Sequence, residues 1–418
     1  MPAFLGMRGT GDWVTNQRPE AWNPRLLLYY PNGAAQLTAI MSMIGKTKYT
    51  DPHFHWFSKT LPDQRGAVTG VYTDSGLSSA YASGGVAGDT LYVKMAEADA
   101  DKFNAAHVIM LTDADDKSMR ARARVSAVTK AGASSYLTVK LLEADDNGST
   151  KDLSDTDTAL IIGSAHPEGA TSPDAIMYDV VEEDNYMQIF RTSIEHTGTA
   201  LATELRTGDA KKEARRENLL IHGIEREKAL LFGVPSQTTG SNGKPLRTSG
   251  GLDYFIQTNR FNFLTDGGGT WLSKGEDWIN AKVEQAFRYG SEDKLMLCGS
   301  GLIAALNRLA LANGHFALAA ETKSYGIKVM SWVTAHGEIP LKPHPLFTTN
   351  PLLRNSGFLV EPKELQRVSL KGRDTILRTN IQANDADSEK DEWLTEEGYE
   401  IHFELAHSVF HNVGVDPA

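Results

Sequence analysis

The segment Asn185 to Gly198 constrains this chain most. It reads as extended backbone, Tyr186 to His196, and runs without a break into a long charged helix. Gly198 ends the strand, and the spacing predicts one helix over Thr199 to Phe232. Ala210, Ala214, Ile221, Ile224 and Leu231 keep one helical face. The other faces mix both charges, with Glu213–Arg216 and Glu225–Lys228 at helical spacing and Arg226 and Glu227 among them. Gly233 and Pro235 stop it. At 1.5 Å per residue such a helix would be about 50 Å long, which outruns an ordinary globular helix.

An extended segment needs a partner. The expected one is Phe54 to Leu61, far upstream. Residues 64–85 are rich in Gly, Ser and Thr and read as loop. Residues 86–165 read as a separate β-unit, with strands near Leu91–Val93, His107–Leu111, Arg120–Val128, Tyr136–Leu142 and Ala159–Ile162. Arg120, Arg122 and Arg124 alternate with Ala121, Ala123 and Val125, a period of two. Turn signals at Asp113–Asp116, Ala131-Gly132 and Asp145–Ser149 separate the strands, as in a small barrel or sandwich.

The flanks differ in kind. Residues 1–50 look like an arm. Gly6, Gly9, Gly11, Pro19, Pro24 and Pro31 break up Met1 to Asn32, and Trp13 and Trp22 between them need a surface to lie on. Beyond the helix, Ser236 to Ser249 reads as a polar loop. Trp278–Tyr289 and Leu302–Ala312 read as helices. Lys294–Cys298, Gly326–Trp332, Ile339–Pro343, Gly357–Glu361 and Arg373–Asn380 read as strands. Glu392 to Glu396 reads as acidic and exposed, and strands near Tyr399–Leu405 and Ser408–Val413 close the chain.

Composition narrows the function. Of 418 residues, 41% are hydrophobic and 23% charged, within ordinary globular usage. The net charge of −11 argues against tight phosphate binding by the whole chain. One cysteine, Cys298, allows no internal disulfide. Met1 to Asp12 lacks a basic leader and a long apolar run, so no signal peptide is expected, and no membrane span is expected either.

Catalytic signatures are weak. His53 and His55, at i and i+2 on a strand, could share a metal, as in barrel-fold metal-dependent hydrolases. No apolar strand precedes them, and eight βα units are missing. His407 and His411 lack the glutamate of a zinc-protease helix, since residue 408 is Ser. Gly299-Ser300-Gly301 is neither a phosphate loop nor a nucleophile elbow. No catalytic residue, cofactor or metal is therefore assigned.

The ordered stretch Asn185–Arg191, Ser193-Ile194-Glu195, Gly198-Thr199, the helix to Phe232-Gly233 and then Arg247-Thr248-Ser249-Gly250-Gly251-Leu252 resembles the major capsid proteins of tailed phages, the group typified by phage SU-ten. The resemblance implies an α+β, Hong Kong 97-like fold with an inserted small β-barrel or sandwich. Its parts would be an N-terminal arm (1–50), an extended-loop hairpin (51–85 and 166–198), the inserted domain (86–165), a spine helix with peripheral domain (199–270), an axial domain (271–345) and closing peripheral strands (346–418). It implies a structural protein, not an enzyme, that assembles with itself into hexamers and pentamers of an icosahedral head around double-stranded DNA. Portal and scaffold proteins would be partners, a decoration protein a further one, and the virion shell its location. Contacts between subunits would fall on Trp13, Trp22, Trp56, Phe57, Tyr186 and Phe190. No Lys–Asn pair for a covalent cross-link is assigned. Two alternatives stand beside this: a cellular nanocompartment shell of the encapsulin type, and a metal-dependent hydrolase using His53 and His55.

Overall fold

The computed structural model describes residues 44–59, 63–115, 120–145, 153–173, 175–203, 209–313, 318–324 and 327–417. Nearly all of the expected arm, with Trp13 and Trp22, lies outside these residues. The chain divides into two units, one of residues 1–58 and 182–418, the other of residues 59–181.

Strands β1 (Gly45–Tyr49) and β2 (His53–Ser58) open the larger unit. The smaller unit follows. Its strands β3 (Arg65–Tyr72), β4 (Thr90–Met95), β5 (His107–Thr112), β6 (Arg120–Thr129), β7 (Tyr136–Leu141) and β8 (Thr158–Ser164) close into a barrel in the order β3-β4-β7-β6-β5-β8. The period of two does the sorting. Ala121, Ala123 and Val125 point inward with Val93, Ile109, Leu111, Leu137 and Val139, while Arg120 and Arg122 are exposed. The barrel starts at β3, within the stretch read as loop. Gly66 and Gly70 dilute the strand signal there. At Gly66 the reason is space, because a Cβ would lie 3.0 Å from the Phe103 ring.

The chain re-enters the larger unit as β9 (Val181–Tyr186) and β10 (Gln188–Thr197). Here the expected hairpin is corrected. β2 pairs with β9, and only Tyr186 of the expected partner segment takes part. β10 instead pairs along its whole length with a strand from the far end of the chain, where its Phe190 and Ile194 are buried.

The single spine of Thr199 to Phe232 is corrected too. A short helix, Gly198–Ala202, ends at Thr203, whose backbone is extended. Helix α1 (Ala210–Phe232, 23 residues) starts afresh, capped by the Asp209 carboxylate, which accepts from the amides of Lys211 and Lys212. It is about 34 Å long, not 50. At its end the expected polar loop folds into a hairpin of β11 (Ser236–Thr239) and β12 (Pro245–Thr248).

After β13 (Arg260–Asn262) come helix α2 (Trp271–Phe287), β14 (Leu295–Cys298), helix α3 (Ser300–Asn313), β15 (Leu318–Ser324), β16 (Ile327–Thr334), β17 (Gly337–Pro343), β18 (Gly357–Val360), β19 (Leu365–Leu370), β20 (Ile376–Arg378), β21 (Ser388–Ile401) and β22 (Ser408–His411). They form two sheets. One runs β13-β22-β18-β14-β17-β16-β15, the other β1-β19-β21-β10 with β20 on β21. α2 begins seven residues before the expected Trp278, because Trp271 and Trp278 lie on one face and share a core with Phe263 and Phe410.

Candidate functional site

The residues that carry the family resemblance converge on one buried side chain. Asn185 sits near the end of β9, two residues before the break to β10. Its Oδ1 accepts from the amides of Gly250 (2.7 Å) and Tyr186 (2.8 Å), and its Nδ2 donates to the carbonyls of Tyr399 (2.7 Å) and Gly250 (3.1 Å). Four bonds fill the capacity of an amide side chain. They tie the β9–β10 junction to β21 and to the loop that follows β12. Gly251 is required there. Its amide donates to the Gly233 carbonyl at 2.9 Å, and a Cβ would lie 2.5 Å from the Ala229 carbonyl oxygen.

α1 rests on β21 through charge. Lys211 pairs with Glu389, Arg215 with Asp391 (2.7 Å), and Arg226 with Glu397 (2.6 Å). Between them His222 lies 2.8 Å from the Thr395 hydroxyl and 3.0 Å from that of Thr192. The helix residues are spaced by four, seven and four, which is one helical face. The strand residues 389, 391, 395 and 397 are all odd, which is one strand face. Fifteen helical residues span about 22 Å and eight strand residues about 26 Å, so the two rows stay in step. Arg367, from β19, adds a second guanidinium to Glu397 at 2.7 Å, and the Tyr399 hydroxyl lies 2.9 Å from it.

The reading of Glu392–Glu396 as exposed is therefore wrong. Asp391, Glu392, Glu396, Glu397 and Glu400 are all buried. Glu392 meets Arg191, Glu396 meets Arg373, and Glu400 meets His402. Each carboxylate has a basic partner, an arginine for Glu392 and Glu396 and the His402 imidazole for Glu400, which is the condition for burying it. The expected apolar stripe of α1 shifts as well. Ile221 is exposed, whereas Arg226 and Glu227 are buried. Glu227 bonds His344 Nε2 at 2.6 Å, and burial pushes its carboxyl above the usual range. Desolvation lowers the His222 imidazole to about 4, with Arg226 adding to the effect.

His53 and His55 share one face of β2, their ring centroids 4.2 Å apart. Each faces its own carboxylate on β9. His53 Nε2 is 2.9 Å from Asp184, and His55 Nδ1 is 2.9 Å from Glu182. Among the described residues no three His, Cys, Asp or Glu side chains are placed to share a metal. Cys298 is buried, its thiol pushed up to about 12 by desolvation. His407 is also buried. Its Nδ1 accepts from the Glu361 amide, so its Nε2 carries the proton toward the His402 carbonyl, and desolvation lowers it to about 4.

The expected contact residues divide. Trp56 is buried against Phe54, Phe255 and His402, and Phe190 is buried edge-on to His222. Both are covered by residues of this chain. Tyr186 is half-buried and stacks on His53 at 4.4 Å. Phe57, at 68% exposure, offers a large apolar surface. Sequence reasoning named Asn185 and Arg226 without giving them a role, and it passed over Glu397 and Arg367. The carboxylates of 389–397 fall on both strand faces, 389, 391 and 397 on one and 392 and 396 on the other, so no period marked the ionic seam.

No helix of the described residues is long and apolar enough to cross a membrane. A family model described as the SU10 major capsid protein matches residues 32–414. A major capsid protein of Pseudomonas phage PaMx41 is 22% identical over 375 residues, covering 87% of this chain and 82% of that one. A solved chain from Mycobacterium phage Bobi is 9% identical, with a TM-score of 0.48 over 96% of this chain and 98% of that one. The SrpI encapsulin complex from Synechococcus elongatus PCC 7942 holds a chain 14% identical, with a TM-score of 0.42 over 57% of this chain and 80% of that one. The family match covers most of the sequence and takes the place of the nanocompartment and hydrolase readings. The chain belongs to the SU10 major capsid protein family and forms the capsid shell of a phage virion.

Proposed function

We propose that this subunit assembles with itself into hexamers and pentamers of an icosahedral head that encloses double-stranded DNA. The observation that carries the reading is the family match over residues 32–414. In this reading the fold is Hong Kong 97-like. The ribbon β2–β9 is the base of the extended loop, α1 is the spine, the sheet of β21 is peripheral, and the layer of α2 and α3 is axial. The barrel is a domain inserted in the extended loop. Phe57 and Tyr186 supply apolar contact to a neighbouring subunit, and head-to-tail contacts close the rings. The net charge of −11 suits a container that holds DNA without gripping it. Portal and scaffold proteins direct closure, a decoration protein binds outside, and the role is structural, without catalysis.

Sedimentation velocity of the expressed full chain, over a range of concentration and salt, tests this. Capsomers or shells are the expected species. A strictly monomeric chain throughout, including with its scaffold co-expressed, would refute it.

A further inference from the structure

The hairpin β11–β12 has four paired rungs, from Ser236↔Thr248 to Thr239↔Pro245, and belongs to a sheet of two strands. Every residue of β11 is exposed, and β12 is exposed or half-buried. Two apolar side chains at its base and on its second strand face solvent, Val234 at 58% and Leu246 at 57% exposure. A two-stranded hairpin is marginal by itself, and the outer edge of β11 has no strand partner among the described residues. Charge is also segregated. From Gly233 to Leu252 the sequence holds Lys244 and Arg247 and no acid, on a chain of net charge −11.

We propose that this hairpin is an assembly element that docks on an acidic surface of a second copy, adding its edge to that copy and burying Leu246. The inference rests on the shell-forming reading above. Two copies of the hairpin facing each other would bring Lys244 and Arg247 against their own equivalents. The contact is therefore head-to-tail, the kind that builds rings. Attraction between a cationic projection and an anionic body fixes its direction. DNA is a poorer occupant. Two cations beside Val234, Leu246 and a row of Ser and Thr make few phosphate contacts, whereas an open strand edge suits strand addition.

The test uses particles assembled from equal parts of 15N-labelled and unlabelled full-length chain, treated with a zero-length carbodiimide cross-linker. The expected product joins a Lys244 peptide of one label to an Asp or Glu peptide of the other. In parallel, the double variant Lys244→Glu, Arg247→Glu should lower particle yield at least tenfold with the melting of the subunit unchanged. Particles in which other lysines cross-link between labels, but Lys244 does not, overturn the inference and leave the shell reading intact. So does a double variant that assembles like wild type, including one that assembles normally but packages less DNA. A wild-type chain that forms no particle overturns both.

Discussion

Helix α1 and the helix pair α2–α3 both lie on β-sheets, but α1 adds a row of ion pairs with β21 to an apolar seat at its C-terminal end, where Leu230 and Leu231 share a buried cluster with Tyr399 and Ile401. α2 and α3 sit on their sheet through Trp271, Trp278, Leu302, Leu306 and Leu309 against Phe410, Met296 and Leu341. The indole of Trp271, fully buried, meets Phe263 edge-on at 4.9 Å and donates to the Ala305 carbonyl at 2.9 Å. α1 sits on β21 through Lys211, Arg215, His222 and Arg226. An apolar seat tolerates small slides, since any methyl can replace another. An ionic seat does not, because a one-residue slip of β21 would turn its carboxylates to the other face. The ionic seam thus specifies one register for the helix, and the apolar layer supplies non-directional adhesion.

The largest effects fall on the centre of each seat, and they should differ in kind. Trp271→Ala should cost about 3–5 kcal/mol, read by urea denaturation of the subunit, with little change between low and high salt. Glu397→Leu strands Arg226 in a buried site, while Arg367 keeps only Asp374, and should also cost about 3–5 kcal/mol. Replacing Arg226, Arg367 and Glu397 together with Leu or Met should recover most of that loss. If the triple variant is as unstable as Glu397→Leu, the seam is not an electrostatic unit. Asn185→Ala should cost about 1–3 kcal/mol, because the Gly250 amide and the Tyr399 carbonyl lose their buried partner. Melting temperature would show it, and a loss no larger than that of a surface substitution would count against the clasp.

Protonation separates the two layers at a smaller scale. His222 is neutral in the folded protein, lowered to about 4 by burial, while the unfolded chain takes its proton near 6.5. The unfolded state therefore binds more protons as the pH falls. The stability this site contributes is complete above pH 6.5 and drains away between about 6.5 and 4. His407 behaves alike at its own site. His222→Gln should flatten part of that slope in melting curves taken from pH 7 to pH 4, and an unchanged slope would remove His222 from the account. The smallest effect expected is that of Asp209→Ala, about 1 kcal/mol, from loss of the cap on α1. Asp209→Asn, which still caps, should lose less in the same melting measurement.

What the sequence disclosed follows from these two chemistries. The apolar layer was legible. Leu295–Cys298 and the helix beginning at Ser300 announce themselves by hydrophobicity, and so does the barrel, whose Ala121, Ala123 and Val125 alternate with arginines. The ionic layer was not. Arg226 and Glu397 lie 171 positions apart, and either alone reads as a solvated charge. Ile221 misled in the opposite sense, since its place in an apolar stripe on α1 did not bury it. Partner choice in β-strands was equally hidden. β10 could pair by pattern with any strand of similar length, and only the Asn185 clasp and the ten rungs to β21 fix it. Likewise, nothing in the polar composition of Ser236 to Ser249 marks a hairpin beyond the Gly243 turn, where φ is +71°.

Cryo-electron microscopy of the expressed full chain, with its scaffold co-expressed, tests the central claim most directly. Closed shells of one or a few diameters are expected, with five- and six-fold capsomers. In their maps α1 should lie along β21, with Arg226 against Glu397. Amorphous aggregate or isolated monomers under every condition would contradict the account, and so would a shell whose subunit seats α1 elsewhere.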